Sequence, residues 1–472
     1  MNIMQSINSD TICAIATAQG GAIGVIRISG SRAISIVDSI FTPAGSPTPL
    51  SQRTPNTITF GYIKTKEQDI IDEVLISIFR APHSYTGEDS AEISCHGSSY
   101  ILQKVMQLLI EQGCRAAGPG EYTQRAFLNG KMDLSQAEAV ADLISSTSEA
   151  THRLAMNQMR GGFSHELSVL RNQLLHLTSL LELELDFSDH EELEFADRSE
   201  LQKLATQIEN IIAKLVDSFS TGNAIKNGIP VAIVGETNAG KSTLLNALVG
   251  DERAIVSDIH GTTRDIIEDT INIDGVTFRF IDTAGIRQTQ DTIEALGIKR
   301  SFKALEQAKI VILMYDLQGS SKGFHSFYEK VSPYLHQKQI IFVMNKCDIV
   351  ETIPSHLEKF IQERSDINCH PIIISAKQKL NVDTLRRCLV ELALLPNIHH
   401  GDVIVTNIRH YEALSHALNA IQRVKHGLTN SISSDFISQD LRECIFHLND
   451  ILGEVTTDEV LGNIFKHFCI GK

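Results

Sequence analysis

The 472-residue sequence contains no tryptophan, and its basic residues do not balance its acidic ones. With 42 Lys and Arg against 57 Asp and Glu, the formal net charge is −15, so whole-molecule attraction to nucleic acid is not expected. The 8 cysteines include no C-x-x-C pair, which argues against a disulfide framework or a zinc ribbon and favours reduced thiols. Because a basic, apolar leader and any apolar run of about 18 residues are also missing, we expect a soluble cytoplasmic protein.

The sequence pattern changes three times along the chain. Between residues 11 and 130, short β-rich runs such as TITFGYI, EVLISIFR and AEISCHG alternate with the helical stretch SYILQKVMQLLIEQG. From Ser135, apolar residues recur at three- and four-residue intervals, which predicts long helices broken at Gly161 and Gly162. From about Ile229, apolar strands alternate with helix-like segments, as parallel sheets require, and helices return after about Gly401.

These patterns predict a multidomain α/β plus α protein. Its α/β block with a mainly parallel sheet is inserted in a helical domain assembled from both flanks. The predicted boundaries are 1–130 for an N-terminal α/β domain, 131–226 for the first part of the helical domain, 227–397 for the inserted domain, and 398–472 for the second helical part with its C-terminal tail.

The segment GETNAGKS, residues 235–242, carries the strongest chemical signal. It follows the strand VAIV and precedes the helix STLLNALVG, which is the setting in which G-x-x-x-x-G-K-[ST] binds phosphate. Backbone N–H groups enclose phosphate oxygens, Lys241 supplies positive charge, and the Ser242 hydroxyl is suited to Mg²⁺. Downstream, FIDTAG offers Asp282 for the magnesium hydration shell and the Gly285 N–H for the γ-phosphate. The sequence therefore predicts a phosphoryl-transfer site.

Two later motifs indicate which base is bound. NKCD contains Asn345, Lys346 and Asp348 after the strand IIFVM, and SAK, residues 375–377, follows PIII. Guanine presents two adjacent donors that one carboxylate accepts, whereas adenine offers no such pair. Asp348 is therefore predicted to select GTP over ATP; the alternative is a surface turn that happens to contain Asn and Asp.

The region AIVSDIHGTTRD predicts a switch loop. Thr263 is the best candidate for a second magnesium ligand, while hydroxyls bonded to the backbone of a turn remain the alternative, chiefly for Thr262. Ile286 follows Asp-Thr-Ala-Gly, and its aliphatic side chain cannot orient the attacking water as a glutamine would. Glu294 is a candidate for that task, with a solvated helix-face glutamate as the alternative.

The order of these regions, with GETNAGKS, GTTRD, DTAGIR, NKCD and the final FCIGK, resembles the tRNA-modification GTPase family called MnmE or TrmE over essentially the full length. The resemblance implies an N-terminal tetrahydrofolate-binding domain, a central helical domain and an inserted Ras-like P-loop GTPase domain. It also implies a homodimer formed through the N-terminal domain, and GTPase domains that associate when GTP is bound.

The resemblance also implies how GTP and cations are held. Potassium supplies the positive charge of an arginine finger, ligated by the Asn238 side chain and by backbone groups of Ser257, Ile259 and Thr262. Mg²⁺ is ligated by Ser242 and Thr263, and the catalytic residues are Glu294 and Lys241. The implied GTP-binding residues are Asn238, Ala239, Gly240, Lys241, Ser242, Thr243, Ser257, Asp258, Ile259, His260, Gly261, Thr262, Thr263, Asp282, Thr283, Ala284, Gly285, Asn345, Lys346, Asp348, Ser375, Ala376 and Lys377.

A tetrahydrofolate site follows from the same resemblance, with 5-formyl- or 5,10-methylene-tetrahydrofolate as ligand. The matching positions are Arg27 in GVIRISG, Glu92 in SAEISCHG, Lys131 in AFLNGKMDL, and Lys472. Arg27 and the lysines would pair with a glutamyl carboxylate, and Glu92 would accept the donors of a pterin ring. Taken alone, each residue is more readily interpreted as a surface charge. The glycine-punctuated segment GPGEYTQRAFLNGK, residues 118–131, is interpreted as a ligand loop.

The resemblance implies a reaction carried out with an FAD-containing partner of the MnmG or GidA family. The two proteins would attach an aminomethyl or carboxymethylaminomethyl group to carbon 5 of the wobble uridine of tRNA, with carbon from methylene-tetrahydrofolate and nitrogen from glycine or ammonium. GTP hydrolysis would reorganise the complex. Cys469 is either a participant in the chemistry or a thiol packed beside it.

Two other functions remain open from the sequence. A ribosome-assembly GTPase would share the nucleotide-binding motifs, but it would normally carry a basic RNA-binding module. A non-enzymatic switch would bind GTP only to regulate a partner, and it would show slow, potassium-insensitive turnover and no folate binding.

Overall fold

The computed structural model describes residues 10–18, 20–45, 47–186, 198–250, 269–281, 304–336, 338–350, 354, 357, 371–393, 403–430, 432–455, 457–466 and 468–471. These residues group into two compact units. The first draws on residues 1–145, 155–210 and 413–472, and the second draws on residues 146–154 and 211–412. The first unit is therefore built from segments that lie on both sides of the second in sequence.

A seven-stranded sheet dominates the N-terminal part of the first unit. Its strands lie in the order β3-β4-β5-β6-β2-β1-β7, and all neighbours are antiparallel except β1 and β7. The strands are β1 (Ile12–Ile15), β2 (Ile23–Ser29), β3 (Phe41–Pro43), β4 (Ile58–Lys64), β5 (Ile70–Phe79), β6 (Ser90–His96) and β7 (Arg115–Ala116).

One face of this sheet is covered by two helices, α1 (Ala33–Ile40) and α2 (Ser99–Glu111). Alternate strand residues such as Ile26, Ile28 and Ile76 are buried in the same apolar core as Val105 and Leu109 of α2. Because successive strand side chains point to opposite faces, the residues between them point away from this core. The predicted strands TITFGYI, EVLISIFR and AEISCHG and the predicted helix are confirmed.

The opposite face of the sheet, called the open face here, carries Arg27, Ile58, Phe60, Leu75 and Glu92. Arg27 pairs with Glu92 across β2 and β6, and Phe60 pairs with Leu75 across β4 and β5. The side chains of Ile58, Phe60 and Leu75 are 67%, 47% and 46% exposed. The open face therefore changes from charged residues at β2 and β6 to exposed apolar residues at β4 and β5.

Long helices form much of the remaining chain, as the spacing of apolar residues predicts. Gly161, at a φ of +84°, separates two of them, which confirms the predicted break. The helices after α2 are α3 (Glu121–Leu128), α4 (Leu134–Ser145), α5 (Glu149–Met159), α6 (Gly162–Asp186), α7 (Arg198–Asn227), α8 (Lys241–Val249), α9 (Ser321–Val331), α10 (Val382–Leu392), α11 (Ile408–Thr429), α12 (Ser434–Leu452) and α13 (Asp458–Phe465).

Within the first unit, α6 and α12 pack against each other. Leu167, Leu170 and Leu174 on α6 and Leu441 and Leu448 on α12 are fully buried. The alternating three- and four-residue spacing places each set on one face of its helix.

The second unit contains a six-stranded sheet in the order β13-β12-β11-β8-β10-β9. All neighbouring strands are parallel except β9 and β10, which are antiparallel. The strands are β8 (Ile229–Gly235), β9 (Asp269–Ile273), β10 (Val276–Phe280), β11 (Ile310–Asp316), β12 (Gln339–Asn345) and β13 (Ile372–Ile374).

Both faces of this second sheet are buried. On β11, Ile312 belongs to one apolar core and Leu313 to the other. The first core includes Leu244 of α8 and Leu385 of α10, and the second includes Phe324 of α9. Burial on both sides explains the near-continuous apolar runs in these strands. The carboxyl ends of the parallel strands share one edge, which is where ligands bind in open α/β sheets.

The fold class predicted from the sequence, multidomain α/β plus α with a mainly parallel inserted sheet, is confirmed, whereas the four domain boundaries remain predictions. The expectation of reduced thiols is wrong for Cys388, which is disulfide-bonded, and it holds for Cys13, Cys95, Cys114, Cys347, Cys444 and Cys469. A search of the described helices finds no segment with the length and apolarity that crossing a membrane requires.

Candidate functional site

The loop between β8 and α8 has the backbone of a phosphate-binding loop. Gly240 caps α8 at a φ of +94°, a conformation that side chains disfavour. A Cβ atom at Gly240 would also lie 2.3 Å from Nδ2 of Asn345, so the close approach of the loop to β12 requires glycine. The loop leads directly into α8, whose first N–H groups can bind an anion.

Lys241, the first residue of α8, folds back over this loop. Its Nζ donates hydrogen bonds to the main-chain oxygens of Gly235 (2.9 Å) and Glu236 (2.8 Å). Burial lowers the pKa of Lys241 below its usual value, and the nearby Glu236 carboxylate opposes this shift. The lysine is therefore held across the loop, where its ammonium group can contact phosphate oxygens.

The other described loop residues differ in exposure. Asn238 is exposed and adopts a φ of +65°, Ala239 is buried, Ser242 is half-buried and Thr243 is exposed. Ser242 is the second residue of α8 and directly follows Lys241. The predicted phosphate-binding residues of this segment are thus all part of one loop and one helix start.

Asn345 ties the phosphate loop to the predicted guanine-binding segments. Its Nδ2 donates to the oxygen of Ala239 (2.8 Å), and its Oδ1 accepts from the N–H of Ala376 (2.9 Å). Asn345 is only 3% exposed. Since a buried amide satisfied on both sides is costly to disturb, Asn345 fixes three chain segments relative to one another.

The rest of the predicted guanine site lies beside Asn345. Lys346 adopts a φ of +72° and forms an ion pair of 2.5 Å with Asp316. Asp348 is half-buried, Ser375 is buried and Lys377 is exposed. Sequence reasoning missed Asp316; its signal is an acidic residue at the end of the apolar strand IVILMYD, opposite Asn345 in the parallel register.

Several predicted residues lie outside the described residues, so their prediction stays untested. They are Ser257, Asp258, Ile259, His260, Gly261, Thr262, Thr263, Asp282, Thr283, Ala284, Gly285, Glu294 and Lys472.

A second cluster of predicted residues lies on the open face of the N-terminal sheet. Nε and a terminal nitrogen of Arg27 each lie 2.9 Å from the same oxygen, Oε1 of Glu92. The Arg27 guanidinium also lies over two aromatic rings, 5.5 Å from the centroid of Tyr85 and 5.7 Å from that of Tyr122. Because the two tyrosines come from separate elements, sequence reasoning did not associate them with Arg27.

The C-terminal segment docks beside this cluster. Ile470 pairs with Pro119 in an antiparallel bridge, and the N–H of Gly120 donates to the oxygen of Cys469 (3.3 Å). Arg27 donates to the oxygen of Gly471 at 3.4 Å. Cys469 is an exposed free thiol.

Gly471 has a conformational reason to be glycine. Its φ is +92°, and a Cβ atom there would lie 2.8 Å from the oxygen of Ile15. The tail therefore lies tightly against β1.

Lys131 is placed differently from Arg27 and Glu92. Its Nζ donates to the oxygen of Pro82 (2.9 Å), and its side chain is exposed. Pro82 belongs to the same loop as Tyr85, which contacts Arg27. The structure thus brings Arg27, Glu92 and the described part of the tail together, and it connects Lys131 to the loop that follows β5.

The segment interpreted as a ligand loop is mostly a helix, α3. Its polar character has a different cause: Arg125 is fully buried and pairs with Asp10 (2.6 Å), Glu88 (3.1 Å) and Glu121 (3.0 Å). A buried guanidinium must be paired with carboxylates or it would destabilise the fold. The loop interpretation was therefore wrong for residues 121–128, although Tyr122 of this helix does contact Arg27, donating from its hydroxyl to the Arg27 oxygen at 2.7 Å.

Two family models match the chain. A model described as the MnmE helical domain matches residues 134–469, and a model described as the GTP-binding protein TrmE N-terminus matches residues 11–131. Together the two models cover nearly all of the sequence.

Two relatives that match over nearly their full length have the same name. A tRNA modification GTPase MnmE from Parabacteroides distasonis is 65% identical over 463 residues, which covers 98% of this chain and 100% of the relative. A protein of the same name from Bacteroides fragilis is 64% identical over 467 residues, covering 99% of this chain and 100% of the relative. A solved structure of an Aquifex aeolicus Era variant bound to GDP and AlF4⁻ is 27% identical, covers 40% of this chain and 65% of that one, and has a TM-score of 0.28. The similarity to Era carries no weight for function.

Proposed function

Because this chain belongs to the MnmE (TrmE) family of tRNA modification GTPases and hydrolyses GTP, we propose that it serves the modification of wobble uridine at carbon 5. The group added is aminomethyl or carboxymethylaminomethyl, and a tetrahydrofolate derivative supplies the carbon. The name shared by its full-length relatives favours this function over a ribosome-assembly GTPase and over a non-enzymatic switch.

Phosphate binding is assigned to the loop before α8. Lys241 already lies across this loop, bonded to two of its main-chain oxygens, so small movements of its flexible side chain bring the ammonium group to phosphate oxygens. The N–H groups at the start of α8 add further donors. Asp348 accepts the paired donors of guanine, in a segment that Asn345 fixes against the phosphate loop.

The hydroxyl oxygen of Ser242, at the start of α8, is suited to bind Mg²⁺. Ser242 follows Lys241 directly, and a hard cation of this kind takes oxygen ligands together with phosphate oxygens and waters. Thr263 is assigned as the second protein ligand and Asp282 as a partner of the hydration shell. When bound, Mg²⁺ neutralises charge that develops on the phosphates during hydrolysis.

Potassium dependence is assigned to Asn238 and to backbone groups of Ser257, Ile259 and Thr262. Asn238 fits this task because its side chain is exposed on the phosphate loop and its amide oxygen can bind a cation. Potassium supplies positive charge that an arginine finger supplies elsewhere. Glu294 orients the attacking water, and association of two GTPase domains completes the site.

The tetrahydrofolate site is assigned to the Arg27 and Glu92 cluster, with Lys131 and Lys472. Both close contacts from Arg27 go to Oε1 of Glu92, so Oε2 is the oxygen that we assign to the pterin donors. Arg27 holds the Glu92 carboxylate in place, with its guanidinium over the rings of Tyr85 and Tyr122, so the glutamyl carboxylate at the other end of the ligand is assigned to the lysines. The bound folate derivative supplies the one-carbon unit.

The tail has a proposed role at the same site. The tail bonds to Gly120 through the main-chain oxygen of Cys469 and contacts Arg27 through that of Gly471. We assign the tail to closing the folate site, with Cys469 as either a chemical participant or a packed thiol.

Homodimer formation is assigned to the open face of the N-terminal sheet. Ile58, Phe60 and Leu75 expose apolar surface on β4 and β5, and they adjoin the row that carries Arg27 and Glu92. Adjacent exposed apolar side chains of this size are typical of protein–protein interfaces. A second copy covering this face would exclude water from the edge of the folate site.

The proposed partner is an FAD-dependent protein of the MnmG (GidA) family, and tRNA is the substrate of the complex, in the cytoplasm. Because the chain has a net charge of −15, it repels the tRNA phosphates overall, and we assign much of the tRNA contact to the partner. GTP hydrolysis then reorganises the complex between steps.

The observation that carries this proposal is the contact of Arg27 with both Glu92 and the docked tail, in a chain that also contains the GTPase site. The test is a reconstitution with the FAD-dependent partner, unmodified tRNA, GTP, potassium, methylene-tetrahydrofolate and glycine or ammonium. Modified nucleosides are then measured by mass spectrometry. We expect product only when the folate derivative and GTP are both present.

Variants sharpen this test. Arg27→Met should abolish product and leave GTP hydrolysis intact, whereas Arg153→Met, which removes an exposed pair with Glu149, should behave as the unaltered protein. Full product from Arg27→Met would contradict the folate assignment. Failure to form product under every condition would contradict wobble modification itself.

A further inference from the structure

The ion pair between Lys346 and Asp316 has no role in the function proposed above. Nζ of Lys346 lies 2.5 Å from Oδ2 of Asp316, and the two side chains are 28% and 14% exposed. Partial burial makes such a pair stronger than a freely solvated one, because water screens it less. The position of this pair beside the predicted guanine site suggests that it serves nucleotide binding.

Asp316 is held in a fixed orientation. It is the last residue of β11 and lies opposite Asn345 in the parallel register with β12. Its Oδ1 accepts from the N–H of Gln318 (2.9 Å), and its main-chain oxygen accepts from the N–H of Gly319 (2.7 Å). The N–H of Leu317 donates to the oxygen of Asn345 (3.1 Å). The carboxylate therefore presents Oδ2 to Lys346 from a rigid turn.

Lys346 needs such a partner because its backbone is in a conformation that lysine rarely adopts. Its φ is +72°. The residue before it, Asn345, is fixed by bonds to Ala239 and Ala376, and the residue two positions after it is Asp348. A relaxation of Lys346 toward negative φ would redirect the chain between the fixed Asn345 and the base-reading Asp348. The ion pair opposes that relaxation.

We propose that Asp316 is a positioning residue of the guanine site. By holding the ammonium group of Lys346, it keeps residues 345–348 in the base-binding conformation before the nucleotide arrives. This inference rests on the proposed guanine-binding role of Asp348. Because preorganisation removes an ordering cost that binding would otherwise bear, its loss weakens guanine nucleotides as a class and leaves the choice of base to Asp348.

Asp316→Asn is the variant that isolates the charge. The amide keeps an oxygen to accept from Gln318 and nearly the same volume, but it loses the negative charge that pairs with Lys346. Dissociation rate constants of fluorescent GDP and GTP analogues are measured by stopped flow at one salt concentration. Since hydrogen bonds to charged groups typically contribute about 1.5–3 kcal/mol, we expect both rates to rise about 10-fold or more. The preference for GTP over ITP, which lacks the exocyclic amino donor, should not change.

A matched control removes an acidic group elsewhere in the same unit. Asp383 at the start of α10 lies 3.6 Å from Arg386 and is 89% exposed. Asp383→Asn changes the net charge equally and should leave both dissociation rates unchanged. Equal effects from Asp316→Asn and Asp383→Asn would overturn the proposal, because the cause would then be general electrostatics.

A double-mutant cycle tests whether Asp316 acts through Lys346. Lys346→Met alone should raise the dissociation rates, and adding Asp316→Asn to it should raise them little further. Fully additive effects would overturn the proposal. If Asp316→Asn fails to fold, as judged by thermal unfolding, Lys346→Met alone decides: unchanged rates in that variant would overturn the proposal equally.

Asp348→Asn separates this inference from the proposed base site. If Asp348→Asn leaves the GTP over ITP preference unchanged, the guanine assignment fails. If that preference falls while Asp316→Asn releases nucleotide as slowly as the unaltered protein, only the positioning role of Asp316 fails.

Discussion

The guanidinium of Arg27 donates a hydrogen bond of 3.4 Å to the main-chain oxygen of Gly471, which lies 444 positions later in the sequence. The same guanidinium is paired with Glu92 on the neighbouring strand. One arginine thus contacts both the strand that carries the proposed pterin acceptor and the segment that carries Cys469. Changes in the tail should therefore alter events at Arg27.

Deletion of residues 469–472 tests this dependence. We expect GTP hydrolysis to remain largely intact and wobble uridine modification to be lost, because the described tail residues contact Arg27 and Pro119, where the folate site is assigned. GTP turnover and nucleoside mass spectrometry are measured on the same preparation. Unimpaired modification by the truncated chain would show that the tail is an ordinary frayed terminus.

Gly120→Val tests tail docking without shortening the chain. A Cβ atom at Gly120 would lie 2.8 Å from Cβ of Phe468 and 3.0 Å from the oxygen of Phe465, and its φ is +63°. Such overpacking typically costs about 1–3 kcal/mol, which corresponds to about one to two powers of ten in an equilibrium constant. Folate binding, measured by calorimetry, should weaken accordingly while GTP affinity stays the same.

Gly118→Ala is the matched control for Gly120→Val. Its added Cβ atom would meet only Oε2 of Glu121 at 3.6 Å, an ordinary contact. Weaker folate binding in both variants would show that the segment tolerates no substitution, and it would remove the argument for tail displacement.

GTP affinity should depend on pH through Lys241. Burial lowers its pKa from the usual 10.5 in the nucleotide-free protein, and bound phosphates would favour the charged form and raise that pKa. The free protein therefore loses this proton first as pH rises. Affinity should then decrease as the pH rises through the lowered pKa, and it should be flat below it.

The measurement is a series of GTP titrations from neutral to alkaline pH. Lys241→Gln removes the titrating group, so its affinity should be about 10- to 100-fold lower at neutral pH and show no corresponding decrease. A parallel decrease in Lys241→Gln would assign the pH dependence to another group.

Potassium should accelerate GTP hydrolysis where sodium does not. In KCl and NaCl buffers of equal ionic strength, we expect turnover to differ by at least about 10-fold, equivalent to about 1.4 kcal/mol of barrier. Glu294→Ala should slow hydrolysis in KCl while preserving GTP binding. Equal, slow rates in both salts would contradict the assignment of Asn238 to potassium binding and of Glu294 to orienting the attacking water.

A charge on the open face should prevent dimer formation. Phe60→Glu combined with Leu75→Glu places two carboxylates at paired positions of β4 and β5, and burying them without partners costs several kcal/mol. Light scattering after size exclusion should report a monomer. Tyr100→Glu, at a residue that is 69% exposed on α2, is the control and should stay dimeric. A dimer in the double variant would place the interface elsewhere.

The sequence predicts most reliably the features that depend on local backbone geometry. Gly240 and Lys241 were recognised because the strand, loop and helix of a phosphate site are contiguous. Asn345 was recognised as part of a motif, but its bridging bonds to Ala239 and Ala376 depend on three segments that come together only in the folded sheet.

Long-range pairs account for what the sequence did not predict. Asp316 meets Lys346 only because β11 and β12 are parallel and in register. Tyr85 and Tyr122 reach Arg27 from a loop and a helix far apart in sequence. The polar segment around Arg125 was misinterpreted because its carboxylate partners, Asp10 and Glu88, lie far upstream. Sequence patterns report neighbours along the chain and not these contacts.

The packing of α6 against α12 has a consequence for the order in which the chain folds during synthesis. All strands of the six-stranded sheet lie between these two helices in sequence, so the ribosome completes that sheet before it makes α12. Until then, Leu167, Leu170 and Leu174 have no α12 to cover them. We therefore expect the inserted unit to fold first, as a separate body, and a nascent chain halted before residue 434 to present α6 as a binding surface for chaperones.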